Sequence, residues 1–569
     1  MQRAPAIALA IVVVSVLLSP FGRELFVGDE TKYAQVVREM RAGAFAVPTL
    51  NGTPFTHKPP LHFWLMASLT YVFGPYSIWP YVLPSLVAFL LLLWMMRRAW
   101  GTMAAFVCGT CILMWGSAQT ARMDVAFAGL LALAALLIYR ANGALTLGAG
   151  VAAGLAFLFK GPMAPVIVLA LFVFESIRRR RRPVARDALA LLPMLLLPLL
   201  WLVPAIVIGG EAFWREIFYK QTVGRAVNAW VHKSPPWFYL VRAPATLAPW
   251  FFLTVAALRC RDEKAKFAMS WMLAVLVPYT LLSSKLDVYM IVLLPAVALL
   301  VSRLVEGEDQ WGKRAAVVTL VLFAIVGVAG LIVQPHHIKG EDGALVTLPV
   351  VRGLFVVMLL AAIAGLVVAL RSRLLHAAIA VGLVPVLALS YAMTALMPLA
   401  NEQASTRPLV RALIAQNVDP AHIGLYVCPH LWTRGMPPAL ANPRHYDAAE
   451  LNAAAPELIV ARRKNAHEID LNGYRKVAEL RMIGKWFDLY RRVTPEQDAR
   501  IAPTQGGTTR GLRRAGATGS AAWPSQDAHL STKHVFARRS GLNKRCRSHR
   551  PAGGPRSSPF AWAQCEGAA

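Results

Sequence analysis

The sequence predicts a polytopic α-helical membrane protein that ends in a small α/β domain. Three observations predict it. Apolar runs of membrane-spanning length recur from the N-terminus to about residue 398. Of the 569 residues only 16% are charged and 57% are hydrophobic, whereas an average soluble domain is roughly 25% charged. Short Lys and Arg clusters fall between alternate apolar runs, the one-sided distribution that membrane insertion leaves.

A hydrocarbon core about 30 Å thick takes roughly 20 apolar residues in a helix. The pattern predicts thirteen spans, at about 5–21, 78–96, 101–118, 124–139, 144–159, 162–177, 187–208, 239–258, 267–283, 287–302, 315–334, 351–370 and 374–398. The first lacks a clear small-residue cleavage site and reads as a retained span. With the N-terminus inside, Arg3, Arg97, Arg98, Arg140, Arg178–Arg182, Arg259, Arg261, Lys264, Lys266, Arg303, Lys313, Arg314, Arg371 and Arg373 share one side. A missed span would break that alternation. The Arg178–Arg182 run reads as a topology anchor. This placement explains much of the net charge of +29 without nucleic acid.

The transmembrane region is therefore residues 1–400, with outer loops 22–77 and 209–238. Beyond it, apolar stretches shorten to strand length at Ile423–Val427, Glu457–Ala461 and Trp486–Tyr490, so residues 401–495 read as an outer α/β domain. Residues 496–569 are rich in Gly, Ser, Arg and Ala and read as a basic, disordered tail; 501–569 alone holds eleven Lys or Arg against two acids. Six scattered cysteines exclude a disulfide scaffold, and Cys108 and Cys111 read as packing inside a span.

The first outer loop is the most informative segment. In Gly28-Asp-Glu-Thr-Lys-Tyr-Ala-Gln-Val-Val-Arg-Glu-Met40 the apolar Tyr33, Val36, Val37 and Met40 recur at helical spacing. The polar neighbours Asp29, Lys32, Glu39 and Arg41 suit an amphipathic helix at the membrane surface. Asp29 stands at the expected N-cap and Glu30 in the first turn. Asn51-Gly52 between strand-like pieces predicts a hairpin, which brings His57-Lys58-Pro59-Pro60 back toward the helix start.

Other outer polar residues interrupt apolar surroundings: Arg122 and Asp124 in Gln119-Thr-Ala-Arg-Met-Asp124, Lys160 at a span end, Lys285 between two spans, and Arg225 in the aromatic-rich loop 209–238. The positive-inside rule predicts few outer cations. An anionic ligand with a lipid tail would explain them, with Lys and Arg on a phosphate and a carboxylate handling a proton. No Gly-x-x-x-x-Gly-Lys-Ser/Thr loop is present, which argues against an ATP-driven pump of that kind.

Asp29-Glu30-Thr-Lys32-Tyr33, the segment Pro48 to Gly52, and His57-Lys58-Pro59-Pro60-Leu61 resemble the first periplasmic loop of bacterial transferases related to protein O-mannosyltransferases. Within that family they resemble the lipid A 4-amino-4-deoxy-L-arabinose transferase type. Ala121-Arg-Met-Asp124, Gly154 to Pro162 and Leu282 to Tyr289 are similar to further signatures of that family. The resemblance covers about residues 1–495 and implies the GT-C fold, with a periplasmic active site in the inner membrane. It implies an inverting transfer of a sugar from polyprenyl (undecaprenyl) phosphate to a periplasmic acceptor, lipid A above all.

Carried over to this chain, Asp29 matches the essential first-loop aspartate, with Glu30 beside it, and Lys58 matches the lysine of the second motif. Lys32 stands where the family usually has Arg, and Arg225 matches the arginine of the later loop; Lys32, Lys58 and Arg225 would hold the carrier phosphate. Tyr33, His57, Arg122, Asp124, Lys160 and Lys285 are further site candidates. His57 replaces a family Glu, so a Zn or Mg requirement, with His57 and Asp29 as its candidate ligands, stays open. The alternatives are transfer of a hexose to protein hydroxyls or another glycolipid, and a flippase for lipid-linked sugars.

Overall fold

The computed structural model describes residues 3–217, 219, 234–334, 345, 347–441 and 443–493. Arg225 and the tail lie outside the described residues. All thirteen predicted segments are helical. Among the described residues seven helices are long and apolar enough to cross a membrane, or eight with one bent pair, Phe238–Thr246 and Phe251–Ala257, which meet at 112°. This is a multi-pass membrane protein.

The other five segments are helices that fall short of a full span. Asp124–Arg140, Leu147–Lys160 and Met163–Arg178 run 17, 14 and 16 residues, and Glu263–Leu281 begins with charged residues. The segment predicted at 101–118 breaks into Thr102–Thr110 and Ile112–Ser117. At the break, Cys111 takes extended ψ, and the Ile112 N–H donates to the Ala248 carbonyl of the bent pair at 3.0 Å. A break inside a membrane needs such a substitute acceptor, because no water is there to supply one. Cys108 and Cys111 are buried free thiols in the bundle core, in keeping with a packing role.

Burial sorts the helices. In Asp287–Glu306, 83% of the spanning window is buried, so it is the central helix; in Pro349–Arg371 only 17% is, so that helix faces lipid. Lipid tails are as apolar as leucine, so close packing rather than water exclusion must hold helices together. Leu147–Lys160 solves this with Gly150 and Gly154 on one face, four residues apart. A Cβ at Gly150 would stand 2.1 Å from the Ala190 carbonyl oxygen, and one at Gly154 would stand 2.4 Å from that of Pro193. The backbones of this helix and of Leu191–Arg215 therefore touch only because both side chains are hydrogen.

The outer segment carries a mixed five-stranded sheet. Its strands are β3 (Ile423–Tyr426), β4 (Arg444–His445), β5 (Leu458–Arg462), β6 (Tyr474–Met482) and β7 (Lys485–Arg492), in the order β4-β3-β5-β7-β6. β3 pairs in parallel with β4 and β5, whereas β7 pairs antiparallel with β5 and β6. The strands β1 (Thr49–Leu50) and β2 (Thr53–Pro54) form the predicted hairpin, with Asn51 and Gly52 at φ 54° and 75°. Positive φ at both turn positions is what Asn-Gly tolerates.

The sheet's loops clamp the first outer loop. Arg434 donates its N–H to Glu24 Oε2 at 2.9 Å and its Nε to the Arg23 carbonyl at 2.9 Å. Trp432 is fully buried and donates Nε1 to the Pro75 carbonyl at 3.1 Å. Arg38 donates to the Leu431 carbonyl at 3.0 Å. Asn401 grips the loop from below the sheet, accepting from the Glu24 N–H at 2.9 Å and donating to the Gly22 carbonyl at 2.8 Å. Beside this clamp the rings of His430 and His445 lie tilted against each other, with centroids 4.6 Å apart. Burial first, then His445 and the charges of Lys32 and Arg38, push His430 well below its ordinary pKa; burial and Arg38 push His445 to about 4.

Two predictions follow from this packing. Gly154→Val should cost about 1–3 kcal/mol or more, because the clash is with backbone; a thermal melt in detergent should fall, while lipid-facing Val151→Ala should leave it unchanged. The lowered histidine values make the unfolded chain bind protons that the folded chain refuses. Stability should therefore be complete above about pH 6.5 and should fall as pH drops toward 4. His445→Gln should flatten that slope in melts across the range.

Candidate active site at the first outer loop

The first-loop helix runs Asp29–Arg41. Its N-cap is Gly28, at φ 119°, and not Asp29 as the sequence pattern predicts. Glycine takes this positive φ without a Cβ penalty. The shift by one residue frees the Asp29 carboxylate from capping, and it turns instead to Arg122, with Oδ2 3.0 Å from a guanidinium nitrogen.

From Arg122 the contacts continue inward. Its Nε donates to Asp124 Oδ2 at 3.0 Å, and Asp124 Oδ1 accepts from the Lys160 ammonium. Asp29 and Arg122 are partly exposed, at 41% and 31% of their side chains, while Lys160 and Asp124 are buried at 8% and 1%. A line of alternating charge thus runs from the outer surface to the ends of two membrane helices, Asp124–Arg140 and Leu147–Lys160. Burial opposes the Arg122 charge, but Asp124 and Asp29 outweigh it and hold the guanidinium pKa above its ordinary value. The Lys160 ammonium also lies 5.0 Å from the Tyr289 ring centroid, and Tyr289 stacks on Tyr279 at 5.2 Å.

The neighbouring acid plays a different part. Glu30 is buried and accepts from Arg23, from the Phe26 N–H at 2.9 Å and from the Ala121 N–H at 2.8 Å. With both oxygens taken, it ties the helix start to the 119–124 segment and does not share the exposed face of Asp29. Glu30, a catalytic candidate beside Asp29 on the sequence, is thus committed to contacts with Arg23 and backbone. Lys285 is committed in the same way. Its buried ammonium donates to the Ser234 carbonyl at 3.1 Å and to that of Leu282, and burial lowers its pKa. It organises its own loop.

Tyr33 is buried against Phe63 and Phe55, with ring centroids 5.2 and 6.5 Å away, and its hydroxyl is 4.0 Å from Met123 Sδ. Burial, reinforced by the Asp29 charge, pushes its phenol well above the ordinary pKa, so it is a neutral wall of the site. Lys32 follows Asp29 by three residues and shares its helix face. His57 is exposed with its ring 5.1 Å from Phe55, and Lys58 is half-buried.

The hairpin that carries them is fixed by a residue the sequence reading did not single out for the site. Glu39 accepts from Thr49 Oγ1 at 2.7 Å and from the N–H groups of Asn51 and Gly52 at 2.7 and 3.1 Å. One carboxylate on the Asp29 helix thus orients the turn preceding His57 and Lys58. Among the described residues no three His, Cys, Asp or Glu side chains converge as a metal site. His57 and Asp29, the ligands the resemblance left open, are not part of such a cluster among the described residues.

A family model described as dolichyl-phosphate-mannose-protein mannosyltransferase matches residues 57–208. The undecaprenyl phosphate-alpha-4-amino-4-deoxy-L-arabinose arabinosyl transferase of Serratia proteamaculans is 29% identical over 355 residues, covering 58% of this chain and 63% of that protein. The enzyme of the same name from Pseudomonas aeruginosa is 30% identical over 322 residues, covering 51% and 58%. The chain thus spans less than two thirds of these curated relatives' lengths. The crystal structure of ArnT from Cupriavidus metallidurans bound to undecaprenyl phosphate superposes with a TM-score of 0.65 at 21% identity, covering 88% of this chain and 99% of that one. Its apo form superposes with the same TM-score, covering 85% and 97%.

This chain has the GT-C fold. Within it the GT-C site candidates fall into two groups. Asp29, Arg122, Asp124 and Lys160 form one charged line, with Tyr33 as its wall; Lys32 and Lys58 are carried by the same helix and its hairpin. Tyr289, which the sequence marked only as the end of the Leu282 to Tyr289 motif, stands beside Lys160.

Breaking a buried ion pair by removing one partner costs about 3–5 kcal/mol. Asp124→Ala and Lys160→Ala should each destabilise the protein on that scale. The double variant should lose less than the sum, by about 0.5–3 kcal/mol of coupling. Denaturation of all four proteins in detergent measures the cycle.

Proposed function

We propose that the chain is a membrane glycosyltransferase that moves 4-amino-4-deoxy-L-arabinose from undecaprenyl phosphate to lipid A on the periplasmic side of the inner membrane. The observation that carries this reading is the Asp29 carboxylate, paired with Arg122 yet partly open to solvent, on the same helix face as Lys32. Carboxylate and cations meet at the outer ends of membrane helices, where a lipid-linked phosphate would lie. The names of the arabinosyl transferase relatives support the choice of donor.

The chemistry follows from charge. The leaving group is polyprenyl phosphate, whose negative charge grows as the glycosidic bond breaks. Lys32, Lys58 and Arg225 would bind that phosphate and stabilise the developing charge, as preorganised cations do. Asp29 Oδ2 is held by Arg122, so Oδ1 is left to orient or deprotonate the acceptor nucleophile or to position the sugar amine. Attack on the face opposite the leaving phosphate inverts the anomeric centre. Asp124 and Lys160 act through Arg122, holding it where it can hold Asp29.

Lipid A mass spectrometry tests the proposal in cells that lack other such transferases and are supplied with the carrier-linked sugar. Wild-type protein should add one aminoarabinose mass. Asp29→Asn should reduce that product by about a hundredfold or more while the protein still inserts and folds. Undiminished product in the variant would remove Asp29 from the mechanism. No added mass with wild-type protein present would move the acceptor to another glycolipid or a protein hydroxyl, or the activity to lipid-sugar flipping.

A further inference from the structure

The helix Met163–Arg178 begins just after Lys160 and runs about 24 Å to the opposite side of the molecule. There the Arg178–Arg182 run ends it, with Arg180 at φ 53° turning the chain. A topology anchor needs only five positive charges, yet the structure treats the five differently. Arg178 pairs with Glu175 at 2.7 Å and Glu263 at 2.8 Å, and Arg179 pairs with Glu175 at 2.9 Å. Arg181 gives one guanidinium nitrogen to Asp187 at 2.8 Å. Arg180 and Arg182 are exposed and have no carboxylate partner among the described residues.

These two line a pocket of about 380 Å³, with Arg181 beside them and Val173 and Ile177 as its apolar wall. Val173 and Ile177 are exposed at 49% and 69%, on the lipid-facing side of a membrane helix. Two polar groups of the lining have no partner. Ser176 is 7% exposed, and its buried Oγ makes no hydrogen bond. The second nitrogen of Arg181, Nη1, is likewise buried without an acceptor, while its guanidinium carbon sits 5.8 Å from the Phe172 ring centroid. An uncompensated polar group in such a place is costly. The site thus offers the exposed charge of Arg180 and Arg182 next to an apolar track at the membrane boundary.

We propose that this pocket binds one anionic glycerophospholipid from the leaflet on the arginine-rich side, which the positive-inside rule makes cytoplasmic. The phosphate sits against the exposed Arg180 and Arg182, and an acyl chain lies along Val173 and Ile177. Basic pockets between membrane helices select such headgroups. A zwitterionic ethanolamine lipid is disfavoured, because its ammonium would face unpaired guanidiniums. The proposal does not depend on the transfer reaction, whose groups lie at the other end of the helix.

Native mass spectrometry of the full chain tests it, with equal phosphatidylglycerol and phosphatidylethanolamine added in detergent. Wild-type protein should retain a phosphatidylglycerol adduct in preference to phosphatidylethanolamine. Arg180→Gln with Arg182→Gln should lower its retention about tenfold or more. Val173→Trp fills the pocket and keeps every arginine, and it should also lose the adduct; it remains informative if the arginine variant inserts poorly. Arg97→Gln with Arg98→Gln removes equal charge elsewhere on the same side and should retain it. Equal retention of the two lipids by wild-type protein, or an undiminished adduct in Val173→Trp, would overturn the proposal in favour of charge alone.

Discussion

The Asp124 carboxylate is the point on which the outer site depends. It is 1% exposed, begins one membrane helix, accepts from the lysine that ends the next, and fixes the arginine that holds Asp29. A carboxylate this buried is tolerated only because cations satisfy both oxygens. The same requirement sets geometry: Lys160 and Arg122 must approach from two sides, so two helix ends and the 119–124 segment are locked together. The partly exposed Asp29 inherits its position from groups that substrate need not touch.

A second constraint comes from the sheet side. The first outer loop is held by residues some four hundred positions later in the chain. Arg434 and Asn401 satisfy its backbone carbonyls, and Trp432 fills the gap above Tyr81, with ring centroids 5.6 Å apart. Glu30 and Arg23 do the same work from below. The outer sheet is in this sense part of the site's scaffold, although it supplies no group of the charged line.

The two ends of the bundle use charge in contrasting ways. At the outer end Arg122 and Lys160 are each paired with aspartate and so hold fixed positions. At the arginine-rich end cations are many, and pairing with Glu175, Glu263 and Asp187 neutralises only some. Composition alone reports both as positive charge. Local partners decide which charges are structural and which face a ligand.

The sequence by itself determined the helical segments and the hairpin at Asn51-Gly52. These follow from local physics: apolar length and a turn that needs positive φ. It also marked Asp29, Arg122, Asp124 and Lys160 as polar residues that an apolar setting must explain. Only the tertiary structure decided how they divide. It moved the N-cap to Gly28, joined Arg122 to both aspartates, buried Glu30 under three donors, and turned Lys285 onto backbone carbonyls. It also shortened or bent several predicted spans, because a helix packed among others can end or break where a neighbour supplies the missing hydrogen bond. The cause is the same throughout. Pattern records which groups must be satisfied, and the partners that satisfy them come from distant parts of the chain.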